Sequence, residues 1–182
     1  MIFNLTNMKY PFIFICFFTL LVINLSSCKK NENNLQQSGD KIEIYLLQDF
    51  AMIKGKCKID NSTIILKSNE LISNDDILHY KLSDHTMLLT NAAIEKIRNV
   101  GDNIPFCLTV DRAIVYSGFF KPGYSSLSCD HSITIDPWSY QLNEININLG
   151  YPSSIYLMNF AGDDPRENKL LIEALRKQGK LR

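Results

Sequence analysis

Apolar and polar positions divide this chain into three zones. From Pro11 to Ile23 the residues are apolar except for Thr19, a run shorter than the ~20 residues a membrane-spanning helix needs. Lys29 to Asp40 is polar, rich in Asn, Gln and Ser, with Leu35 as its single aliphatic residue; that composition predicts a flexible tether. From Ile42 onward short alternations dominate. Ile42, Ile44 and Leu46 alternate with Glu43 and Tyr45, the pattern of a half-buried strand. Lys54, Lys56 and Lys58 alternate with Gly55, Cys57 and Ile59, which predicts a second strand with its lysines in water and Cys57 facing the core. The Asp60-Asn61 turn then leads to Thr63 to Leu66, suggesting a hairpin.

Helix signals are interspersed. Ser73, with Asp76 three residues on, predicts a short capped helix running into Ile77 and Leu78. After a brief strand at Thr86 to Leu89, Thr90 caps a helix reaching about Val100, with Ala93, Ile94, Ile97 and Val100 inward and Gly101 as its stop. Phe106 to Val110 and Ala113 to Phe119 are strands joined by a tight turn at Asp111-Arg112. Further strands are expected at Ile133 to Ile135, around Ile145, Ile147 and Leu149, and at Ile155 to Phe160. The chain ends in a helix with Asp164 as N-cap, Pro165 at the first position and Glu167 completing a capping box; Leu170, Leu171, Ala174 and Leu175 form its apolar stripe. Interspersed elements and short strand links predict an α+β domain with a mainly antiparallel sheet and two longer helices.

The N-terminal zone has a chemistry of its own. Lys9 precedes the apolar run, and Leu25-Ser26-Ser27-Cys28 closes it. The whole resembles the signal peptide of bacterial lipoproteins, in which an aliphatic residue and two small residues precede the cysteine that is acylated. Residues 1–27 are then a signal peptide, 28–40 a lipidated Cys28 with its tether, and 41–182 a single domain. Each buried methylene of a fatty acyl chain such as palmitate contributes about 0.8 kcal/mol, so two or three chains hold a protein on a membrane where one does not. No Asp follows Cys28. By that resemblance, Lys29-Lys30-Asn31 places the protein in the cell envelope, at the outer membrane.

Charge excludes other partners. The chain carries 19 basic and 19 acidic side chains, of which the signal holds only Lys9, leaving 18 against 19. Nothing in that balance argues for nucleic acid or a basic membrane-binding surface. Of five cysteines, Cys16 leaves with the signal and Cys28 takes lipid, so Cys57, Cys107 and Cys129 remain. At most one intramolecular disulfide can form among three. Their spacing fits neither a CxxC redox motif nor a zinc ribbon, and at least two read as small buried hydrophobes.

Several constellations carry candidate chemistry. Ser125, Ser126, Ser128, Cys129, Asp130 and His131 hold every member of a nucleophilic triad. Their adjacency argues instead for a Ser-rich loop, because neighbouring side chains on an extended chain point apart. His79 and His85 flank a turn containing Asp84, without the spacing of a metal motif. Asp163-Asp164 reads as a helix start, and no glycine-rich phosphate loop or cofactor signature occurs. Phe119, Phe120, Tyr124, Trp138, Tyr140 and Tyr151 cluster in a Gly-, Pro- and Ser-rich stretch. Core packing of a loop-rich end accounts for most of them; the sharper reading is that with Ser125 and Ser126 they outline a candidate binding surface for an envelope protein, peptide or glycan.

The order from Leu71-Ile72-Ser73-Asn74-Asp75-Asp76-Ile77 through Met87 to Ile97, then Phe106 to Asp111 and Ala113 to Tyr116, resembles the head subdomain in the first periplasmic domain of the SecD-type protein-export subunit. Ala92 and Arg112 stand where that family usually has glycine. A looser likeness, through Gly118-Phe119-Phe120, Ser125 to Cys129 and Leu149-Gly150-Tyr151-Pro152, is to small bacterial lipoproteins with this kind of domain. The resemblance implies a protein-interaction element, hence a non-catalytic binding or structural role. The alternatives are a hydrolase using the Ser125 to His131 loop and a thiol-based role for the odd cysteine.

Overall fold

A computed structural model describes residues 40–152 and 163–182, apart from the side chains of Ser139 and Tyr140. Cys28, the signal segment and the strand expected at Ile155 to Phe160 lie outside these residues, all of which fall in one compact unit. Among them, eight strands form one sheet with two α-helices, an α+β arrangement that is antiparallel at every pairing but one. The strands are β1 (Ile42–Asp49), β2 (Ile65–Leu66), β3 (Ile77–Lys81), β4 (Thr86–Leu89), β5 (Ile104–Val110), β6 (Ala113–Phe120), β7 (Cys129–Gln141) and β8 (Glu144–Tyr151). Their order across the sheet is β2-β1-β5-β6-β7-β8-β4-β3. The helices are α1 (Asn91–Arg98) and α2 (Lys169–Lys177). No helix among the described residues is long and apolar enough to cross a membrane.

Alternation along the strands sorts side chains onto two faces. Ile42 and Ile44 of β1, Phe106, Leu108 and Val110 of β5, and Ile133 and Ile135 of β7 meet Ala93, Ile94 and Ile97 of α1 and Leu171, Ala174 and Leu175 of α2 in the main core. Each such aliphatic side chain stabilises the fold by about 1.5–3 kcal/mol through removal from water. The opposite face carries a smaller cluster of Leu47, Ile59, Cys107, Phe119 and Cys129, covered by the segment between β1 and β2. Val115 is an extra residue where the β5–β6 register shifts, so both it and Tyr116 reach the main core.

Turn chemistry closes the hairpins. Asp111 and Arg112 hold φ of 48° and 65°, as do Leu142 and Asn143 at 51° and 66° between β7 and β8. Two successive left-handed residues match the twist of a two-residue hairpin turn. The Asp111 carboxylate also accepts from the Lys41 N–H at 2.9 Å, fixing the chain where it enters β1. Thr90 caps α1 by accepting from the Ala93 N–H at 3.2 Å, and Asn99 rather than Gly101 ends it. Beyond α2, Gly179 at φ +67° turns the chain so that Lys180 and Arg182 pair with Tyr80 at the β3 edge.

Four expectations are corrected. Residues 53–59 are a turn, not a strand: Gly55 at φ +73° folds the chain back and only Met52 bridges Ile59, although the lysines are exposed as expected. Ile65–Leu66 pairs with β1 instead of forming a hairpin with that segment, because Asp60 starts a 3-10 turn at Asn61–Thr63. The Ser73–Asp76 capping box is present, but it caps a 3-10 turn over Asn74–Asp76 that runs straight into β3. Asp164 likewise caps a separate 3-10 turn, Pro165–Glu167, while Asn168 accepts from the Leu170 N–H and starts α2.

The one parallel pairing joins β6 to β7, with Gly118 opposite Ile133 and Phe120 opposite Ile135. Parallel neighbours need a return crossover. Here residues 121–128 supply it without a helix, and the expected strand at Ile133 to Ile135 grows to span Cys129–Gln141. A Cβ on Gly118 would lie 2.1 Å from the Ile133 carbonyl oxygen, so only glycine admits this approach.

Candidate functional site

The candidate surface spreads over β6, the crossover loop, β7 and β8, and burial divides it. Phe119 and Phe120 belong to the core instead: Phe119 sits edge-on to Phe50 at 6.5 Å and Phe120 packs on Phe106 at 5.0 Å. The alternation of β6 sends them to opposite faces, and both faces are covered. Tyr124, Leu127 and Trp138 are 71%, 56% and 56% exposed. The Tyr151 hydroxyl lies 3.1 Å from the carbonyls of both Gly123 and Ser125, pinning the loop to β8. Asp136 accepts from the Trp138 N–H at 2.9 Å within β7, fixing the backbone of the strand that carries Trp138. Ser125 is half-buried and Ser126 exposed; the side chain of Tyr140 lies outside the described residues.

The Ser125 to His131 segment does not assemble a nucleophile. Cys129 is bonded to Cys57 across 72 residues, so it offers no thiolate, and the expectation that at least two cysteines are merely small buried hydrophobes is corrected. Cys107 alone fits that description, and burial pushes its thiol pKa up to about 12. Ser125 Oγ accepts from the Leu127 N–H and Ser132 Oγ donates to the Cys57 carbonyl. His131 Nδ1 lies 2.6 Å from Asp130 Oδ1, out of hydrogen-bond alignment. Among the described residues no serine of the segment bonds to that ring. His131 lines a cavity of about 200 Å³ between β6 and β7 with Lys58, Asn61, Tyr116 and Ser132.

A second cluster joins distant parts of the chain. His85, in the turn between β3 and β4, has Nε2 at 3.8 Å from both Asp164 Oδ2 and Glu167 Oε1. Its Nδ1 faces the Tyr80 hydroxyl at 3.1 Å, and that hydroxyl also reaches the Arg166 carbonyl at 3.3 Å. Arg166 is buried, forks onto Asp164 with Nη2 to Oδ2 at 2.6 Å, and donates from Nη1 to the Ile147 carbonyl at 3.0 Å. Burial opposes ionisation of Asp164, but the Arg166 bonds outweigh it and hold its carboxyl below the usual range. Burial, then the Arg166 charge, depress His85.

Sequence reasoning grouped His85 with His79 and Asp84. His79 instead lies on β3 opposite Leu88, and Asp84 accepts from the Thr86 hydroxyl at 2.8 Å. The true neighbours, Asp164 and Glu167, read as helix-capping residues, and no local spacing signals a meeting across so much chain. Comparison with protein-family models, with curated proteins and with solved structures found no match for this chain.

Proposed function

We propose that this chain is a lipid-anchored protein of the bacterial cell envelope, held at the outer membrane through Cys28, whose domain binds a protein or peptide partner without catalysing a reaction. The observation that carries this reading is the Cys57–Cys129 disulfide. Such bonds persist in oxidising compartments, which agrees with the export signal read in residues 1–27. The binding role is supported by Tyr124, Leu127 and Trp138, large side chains left in water on strand β7 and on a loop that Tyr151 fastens to β8. Exposed aromatics on a fixed scaffold are the usual anchors of polypeptide recognition. The element order from the Ser73–Asp76 turn through β3, β4, α1, β5 and β6 supports the likeness to a SecD-type head subdomain, itself an interaction element.

Metabolic labelling with a fatty-acid probe, on wild type and Cys28→Ala, tests the anchor. Label and membrane association should both disappear in the variant; an unlabelled, unanchored wild type rejects the reading. A photocrosslinking residue at position 124 or 138 should then trap a discrete envelope polypeptide, whereas one at the distant Lys67 should not.

A further inference from the structure

We propose that His85, Asp164 and Glu167 form a divalent-metal site that takes a first-row cation, zinc above all, through one imidazole nitrogen and two carboxylate oxygens. This goes beyond the binding role assigned above and does not depend on it.

The donor set is the first argument. One ligand atom from each of the three residues lies within 4.8 Å of the other two. Zinc takes imidazole nitrogen and carboxylate oxygen at about 2.0–2.2 Å, which sets donors about 3.4 Å apart in a tetrahedron. The His85 nitrogen is 3.8 Å from each carboxylate oxygen, so closure requires shifts of tenths of an ångström there. Glu167, at 56% exposed, has the freedom to complete it. Mixed nitrogen and oxygen donors suit zinc and its first-row neighbours better than calcium or magnesium.

The orientation of His85 is the second argument. The Tyr80 hydroxyl lies 3.1 Å from His85 Nδ1 and 3.3 Å from the Arg166 carbonyl, so when it donates to that carbonyl it accepts from Nδ1–H. In that tautomer Nε2 turns its lone pair toward the two carboxylates. Without a cation between them, a lone pair facing two anionic oxygens is unfavourable. A ligating histidine whose other ring nitrogen is held by a polar partner is the usual second layer of a metal site. Arg166 supplies that layer for Asp164, with Nη2 on Oδ2 at 2.6 Å and Nε shared between Oδ1 and Oδ2 at 2.9 and 3.1 Å, so the ion takes Oδ2 in place of the longer Nε bond. Two carboxylates and one guanidinium sum to a single negative charge, which favours a cation at the site.

Three protein ligands leave room for water at the remaining positions. The ligands come from the β3–β4 turn and the 3-10 turn that precedes α2, so the ion acts as a staple between them. Binding confined to the folded state stabilises it by mass action.

The test uses the untagged full-length protein purified from membranes in detergent and stripped with chelator. Cobalt(II) titration followed by visible absorption should show one saturable site with nitrogen and oxygen ligation, displaced by zinc, and zinc should raise the thermal midpoint. His85→Gln should weaken cobalt about 100-fold, and Glu167→Gln, at an exposed position that cannot upset folding, by at least 10-fold. Zinc should then no longer shift either variant's midpoint. Three results overturn the proposal: no uptake at millimolar metal; a thiolate charge-transfer band, which would put the ion on Cys107; or affinity unchanged in Glu167→Gln, which would place it on lipid phosphates or elsewhere.

Discussion

The Thr90 hydroxyl, which caps α1, donates to Asp76 Oδ1 at 2.9 Å, so one carboxylate ties the start of that helix to the turn ahead of β3. Asp76 also accepts from Lys96 Nζ at 3.0 Å and from the N–H and hydroxyl of Ser73. A single side chain thus joins two segments whose caps look independent in the sequence.

Burial raises the pKa of Asp76, but the bonds from Lys96, Ser73 and Thr90 outweigh it and bring it from 3.8 to about 2. A depressed folded-state pKa contributes stability that is present in full above 3.8 and lost as pH falls toward 2. The shift corresponds to about 2 kcal/mol. Asp76→Asn should cost roughly that at neutral pH, and urea titrations of the two proteins should converge as pH approaches 2. A gap independent of pH would disprove the linkage.

Gly118→Ala should be among the most damaging single-atom changes available. Its Cβ meets a backbone carbonyl at 2.1 Å in the parallel β6–β7 pair, where no rotamer can relieve the clash. We expect a loss of about 3 kcal/mol or failure to fold. Gly123→Ala, whose Cβ would meet the Asp136 side chain at 3.3 Å, should cost far less. Denaturation midpoints of the pair give the comparison directly.

Removing the disulfide with Cys57→Ser and Cys129→Ser together should destabilise the domain by about 4 kcal/mol, the loop-closure value for residues 72 apart. The native domain should expose no reactive thiol, and the unfolded one a single thiol from Cys107. Thiol titration before and after denaturation measures both numbers.

The proposed binding surface separates from the core by mutation. Tyr124→Ala and Trp138→Ala should leave stability within about 0.5 kcal/mol while abolishing partner crosslinking. Phe120→Ala should cost about 3–5 kcal/mol because its ring is fully buried against Phe106. Chemical denaturation of the three variants, alongside the crosslinking assay, distinguishes the classes.

Sequence pattern located the elements whose cause is local. The Thr90 cap, the apolar stripe of α1, the Asp111-Arg112 turn and the strands β1, β4, β5, β6 and β8 all lie where the sequence pattern placed them. It misread residues 53–59, where alternating lysines imitate a strand but Gly55 supplies a turn. It misassigned Phe119 and Phe120, since adjacent aromatics on a strand covered on both faces have the same composition as an exposed cluster. It had no means of finding the parallel β6–β7 pair, the Cys57–Cys129 bond or the meeting of His85 with Asp164. Each depends on which distant segments lie side by side, and the intervening residues carry no record of it. Lys121, 1% exposed with Nζ 4.0 Å from Asp102, makes the same point for a single charge.

The sheet order also governs how fast this domain forms. β1 pairs with β5 and β4 with β8, so β5 docks on a strand laid down some sixty residues earlier and β8 does the same. Two such long-range pairings slow folding relative to the local β3–β4, β5–β6 and β7–β8 hairpins, toward the millisecond range and beyond. During that interval unpaired strand edges are exposed. Until β5 and β8 dock, the open edges of β1 and β4 therefore depend on whatever shields them as much as on the final packing of the core.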